Sequence, residues 1–141
     1  MAIVGMGITK INVEKLESAK GKVGIKNNIA IKKVDLTDLN FGASAQKGLR
    51  FSFSYISIYT PRIGEILIEG DIIDLVEEKK AKEIADEWKK SKKIPGIVMN
   101  RILNAVLEKC NIEALLLARE VNLPSPVPLP KVKLKEETPG K

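Results

Sequence analysis

Apolar residues recur at every second position through the first half of the chain, and at every third and fourth position beyond residue 77. In the first half, Val23, Ile25, Ile29 and Ile31 hold one face at period two, with Asn27 as the exception. The parity then switches at Val34 and Leu36, as a bulge or a strand bend would produce. Before this run, "INVEKL" shows a weaker alternation through Ile11, Val13 and Leu16. After it, "NFGASAQKG" is rich in small residues and reads as a surface loop. "LRFSFSYISIYT" is the best strand. Phe51, Phe53, Tyr55 and Tyr59 take one face, and Ser52, Ser54, Ile56 and Ile58 the other. "TPRIG" supplies turn chemistry, and "EILIEGDIIDL" follows as an antiparallel partner. Its Ile66, Ile68 and Ile72 share a buried-type face opposite Glu65, Glu69 and Asp71.

The period then becomes helical. Ala81, Ile84, Ala85 and Trp88 form one stripe of a helix from about Glu78 to Ser91, with acids leading and lysines closing it. "KKIPG" breaks the chain. A second helix runs from about Ile97 to Val121, roughly 38 Å long at 1.5 Å per residue. Its stripe is Met99, Ile102, Leu103, Val106, Leu107, Cys110, Ala114, Leu117 and Val121, and Leu115 and Leu116 widen it. A helix apolar around so much of its girth is either deeply buried or paired with another chain.

Directly after this helix, "NLPSPVPLPKV" puts proline at 124, 126, 128 and 130. Pro124 pushes Leu123 out of the α region and stops the helix. Four missing N–H groups then forbid a central strand, so the segment is expected as a strap pinned by Leu123, Val127 and Leu129. P-x-x-P spacing is absent, which argues against a docking peptide for an aromatic groove. The predicted fold is α+β: an antiparallel sheet of about four strands, two helices and a C-terminal proline-rich strap. One domain is expected over residues 1–130, with a charged flexible tail over 131–141.

Composition narrows the chemistry by what is missing. The 141 residues include no histidine and one cysteine, so there is no imidazole base, no Ser-His-Asp triad and no Cys- or His-rich metal site. Neither glycine-rich phosphate-binding spacing occurs. No enzyme activity, cofactor or metal is expected. No apolar run reaches the roughly 18 residues of a membrane span, and a cytoplasmic location is the simplest expectation. Twenty lysines, one glutamine and interleaved acids match the bias of thermophile proteins.

The long strands of "GLRFSFSYISIYTPRIGEILIEGDIIDL", followed by a helix ending in "LLLAREVNLPSPVPLP", resemble the SecB-like chaperone family and its archaeal members. The similar motif is Asn122, Leu123, Pro126 and Val127, where SecB proteins carry an Asn-Leu-x-Pro-Val type segment. The resemblance implies a homo-oligomeric holdase that binds unfolded or nascent polypeptides.

Three functions remain open on the residues. For polypeptide binding, the lining candidates are Phe51, Phe53, Tyr55, Ile56, Ile58 and Tyr59. If Phe51, Phe53 and Tyr55 are instead core beneath the helices, Ile56 and Ile58 are the surplus groups on the other face. For nucleic acid, as an RNA-binding or ribosome-associated protein, the net charge of +6 favours a polyanion, and Trp88 beside Lys89, Lys90, Lys92 and Lys93 is the best patch. Lys131, Lys133 and Lys135 form a second. For a small homo-oligomeric structural protein, Leu115 and Leu116 are the contact candidates.

Overall fold

The alternation of aromatics and serines does become a strand, longer than its apolar run suggests. In the computed structural model, which describes residues 2–18, 21–41 and 44–128, β3 spans Ser44–Thr60. It lies between β2 (Gly24–Phe41) and β4 (Gly64–Leu75), and β1 (Ala2–Lys15) completes an antiparallel sheet of order β1-β4-β3-β2. Two helices follow, α1 (Glu78–Ser91) and α2 (Gly96–Glu120). The α+β class, four strands then two helices, is as the pattern predicts. None of the described helices is long and apolar enough to cross a membrane.

Two readings of the strands need correction. In the segment "NFGASAQKG" residues 40–41 and 44–48 are strand rather than loop: pairing continues to Phe41 opposite Ser44. Small residues weaken a strand's packing but do not stop its backbone from pairing. Past Gly48, which pairs with Leu75, β4 ends and β2–β3 continue as a two-stranded ribbon. An ion pair between Lys47 and Asp38 ties its sides together. The second correction is β1, which starts at Ala2 rather than near Ile11. Register shifts at Val4 and at Thr9 scramble the period of two that would have revealed it. The third shift, at Lys32 in β2, is the predicted parity switch before Val34.

β1 and β2 sit at opposite edges of the sheet, although they are consecutive in the chain. The Leu16 and Glu17 N–H groups both donate to the Ile63 carbonyl (2.8 and 3.3 Å), which ties the chain just after β1 to the β3–β4 turn.

Both helices pack on one face of the sheet. Phe51, Phe53, Tyr55 and Tyr59 from β3 and Ile66, Ile68 and Ile72 from β4 are buried there. α1 buries the predicted stripe of Ala81, Ile84, Ala85 and Trp88. α2 departs from expectation by burying every fourth residue: Val98, Ile102, Val106, Cys110, Ala114 and Ala118. A step of four turns about 40° past a full circle, so this line winds around the helix. Met99, Leu103, Leu107 and Leu117 flank it, only partly covered.

Phe53 lies over Gly70, its Cα partner in the neighbouring strand. A Cβ on Gly70 would collide with the Gly7 carbonyl oxygen and sit 2.9 Å from the Phe53 ring. Backbone cannot yield there, so Gly70→Ala is expected to cost about 2 kcal/mol or more in a denaturant titration. Gly5→Ala meets only Ile73 Cβ at 4.0 Å and should stay within about 0.5 kcal/mol. Equal costs at the two sites would refute this packing.

Candidate functional site

The six residues proposed to line a polypeptide site divide between two faces. Phe51, Phe53, Tyr55 and Tyr59 are core beneath the helices, each at most 1% exposed. Ile56 is half-buried and Ile58 is 37% exposed, both on the opposite face. The register shows what surrounds them. Ile56 lies level with Leu67 on β4, Asn28 on β2 and Asn12 on β1. One row away, Ile58 is level with Glu65, Lys26 and Glu14. In the other direction come Ser54 with Glu69, Ala30 and Lys10, then Ser52 with Asp71, Lys33 and Gly7. Ser52 donates to Asp71 (2.9 Å). Along β4 the helix-side residues are buried while Glu65, Leu67, Glu69, Asp71, Ile73 and Leu75 all stay partly open. This face is thus a shallow plateau with an apolar strip of Ile56, Ile58 and Leu67. Leu67 was missed in the sequence because only strand order places it beside Ile56.

The strap is held from the helix side. Asn122, at φ 58°, ends α2: its N–H reaches the Arg119 carbonyl (3.3 Å) and the Leu123 N–H the Ala118 carbonyl (2.8 Å). Leu123 is then buried, with Cδ1 close against Gly64. The prolines cannot donate, but their carbonyls accept. Tyr59 donates to the Pro124 carbonyl (2.6 Å) and Asn27 Nδ2 to the Pro126 carbonyl (2.7 Å). This explains Asn27 among the isoleucines of β2. Its Oδ1 also accepts from the buried Ser57 hydroxyl (2.6 Å), beside the Tyr55 hydroxyl, which reaches Asn111 on α2 (3.3 Å). A cleft of about 510 Å³ opens between Ile25, Asn27 and the strap residues 124–128. The described strap ends at Pro128; Leu129, the 131–141 tail and its three lysines lie outside the described residues.

The other candidates are placed as follows. Trp88 is buried against the core, with Lys92 Nζ 5.3 Å from its ring centroid, so its ring is not offered to a base. Lys89, Lys90, Lys92 and Lys93 are exposed. Leu115 is partly covered and Leu116 is 52% exposed, one turn beyond exposed Ile112. Cys110 is buried, and burial pushes its thiol up to about 11. No cluster of three or more His, Cys, Asp or Glu side chains among the described residues could hold a metal ion.

Asp74 is fully buried at the end of β4. Arg101 of α2 donates to its Oδ2, while Oδ1 has no partner among the described residues. Burial raises the carboxyl above its ordinary 3.8, and Arg101 opposes that shift. The chain matches no family model, and no curated protein or solved structure matches it.

Burying a leucine contributes roughly 2 kcal/mol, against about 1 for a hydrogen bond. Leu123→Ala should therefore destabilise by about 2–3 kcal/mol and Tyr59→Phe by about 1. Burial pushes Tyr59 up to about 12 from 10.0. Its contribution is full below pH 10 and lost as pH rises through 12, so wild type should lose more stability than Tyr59→Phe in that window. A steeper loss in the variant would refute the contact. For Asp74 the folded state also holds the proton more tightly. Wild-type stability relative to Asp74→Asn should fall as pH rises above 3.8. A rise would mean that Arg101 outweighs burial.

Proposed function

We propose that the protein holds unfolded polypeptide chains against aggregation in the manner of SecB-like chaperones. The observation that carries this reading is the apolar strip of Ile56, Ile58 and Leu67 on a sheet face that the domain's own core does not use. The low neighbours Ser52, Ser54 and Ala30 leave the strip accessible from the side. An extended client projects every second side chain toward such a surface. Burying about 200 Å² of apolar area there gains on the order of 5 kcal/mol before ordering costs. That is a weak, reversible contact, which suits a protein that must release its client. The similarity of Asn122, Leu123, Pro126 and Val127 to the SecB-like segment supports the reading. In this chain those residues close the core, with Leu123 and Pro126 buried.

The test is aggregation of a chemically unfolded protein at about 0.15 M salt, where exposed charges are screened over some 8 Å. Near-stoichiometric amounts should suppress it, and Ile56→Glu with Leu67→Glu should abolish suppression without lowering the unfolding midpoint. A folded wild type that suppresses nothing would overturn the proposal.

A further inference from the structure

We propose that the sheet face that no described element covers also docks a second copy of this chain, sheet against sheet, about a two-fold axis that lies in the interface along the strands, between β3 and β4. The charge distribution points to this partner and this axis. The β2–β3 half of the face carries Lys26, Lys33 and Arg50 against one acid, Asp35. The β4–β1 half carries Glu14, Glu65, Glu69 and Asp71 against one cation, Lys10. The face is therefore cationic on one side of its midline and anionic on the other.

A two-fold along the strands brings each half over the opposite half of the other copy. Row by row, Ile56 then meets Leu67, and Lys26 meets Glu14 with Glu65 beside it, each contact made twice. Ser54 and Ser52 face Glu69 and Asp71. A two-fold across the strands would instead lay cations on cations and acids on acids. Like charges so opposed cost several kcal/mol. The strand-parallel axis also gives the aligned stacking, within about 30°, that twisted sheets adopt.

The area is sufficient. Four strands about 4.8 Å apart and twelve residues of β4 at about 3.3 Å each make a plateau of roughly 750 Å². A stable interface takes about 800 Å² from each partner. Ser52, Ser54, Ala30, Gly5 and Gly7 are low points of the plateau, between the longer Lys10, Lys33, Arg50 and Glu69 of the same rows.

The docked copy covers Ile56 and Leu67, so self-association and client binding compete for one strip. That competition, unlike the dimer, rests on the holding function proposed above. Self-association would then set how much of the surface is open at a given protein concentration.

Light scattering and sedimentation equilibrium on the full chain test the dimer. Wild type should be dimeric at about 100 µM, well above the µM end of the affinity range for interfaces of this area. Lys26→Glu and Glu14→Lys, both at exposed positions, should each weaken it at least about tenfold, and the double swap should restore it to within about threefold. Higher salt should weaken the wild-type dimer. Circular dichroism confirms that each variant is folded. A monomeric wild type overturns the inference, and so does a dimer that neither single swap weakens, since another surface would then make it. A wild type that dimerises yet holds no client removes the competition and the holding function, and leaves the dimer standing. If both hold, Lys26→Glu should protect more client per chain than wild type at high protein concentration.

Discussion

The strict alternation of β3 and β4 gives both helices a single apolar wall, and among the described residues no second layer stands against the other side. Phe51, Phe53, Tyr55, Ile66, Ile68 and Ile72 form that wall, and the buried residues of α1 and α2 share one core with them. With one face spent on the core, whatever apolar area remains on the other belongs to something outside the fold. The plateau around Ile56 and Leu67 is therefore a direct product of the core's geometry, as is its division into a cationic and an anionic half.

Closure of the domain's end depends on a different economy. A segment with proline at alternate positions has carbonyls to offer and few donors, so it cannot join a ladder. The sheet meets it with side chains instead, Tyr59 and Asn27, and the apolar anchor Leu123 supplies the larger share of the energy. The positive φ at Asn122 aims the strap across the sheet, because the helix must end there for Leu123 to reach Gly64.

The sequence made some of this plain and hid the rest for identifiable reasons. Both helices were legible to within a residue, since their periods are uninterrupted and Pro95 and Pro124 mark their limits. The bulge at Lys32 was visible as a change of parity. β1 was obscured by its own register shifts, and the ribbon tip by residues whose side chains give no period. On the candidate face, Ile56 and Ile58 could be read from β3 alone. Their companions Leu67, Lys26 and Glu14 could not, because neighbours across a sheet are set by strand order, and β1 lies next to β4 although β2 and β3 separate them in the chain. Asn27 stood out as an anomaly in β2, but its purpose needed the strap some hundred residues away.

The line of every fourth residue on α2 has a further consequence through Cys110. Its sulfur, the chain's one thiol, lies fully buried on that line, with very little thiolate at neutral pH. An oxidant reaches it only while α2 stands away from the sheet. Oxidation is a slow ratchet under those conditions, since each brief opening adds to a total that reclosing does not erase. The fraction of oxidised chains in a population would thus keep a chemical record of how long, and how often, the domain has been open.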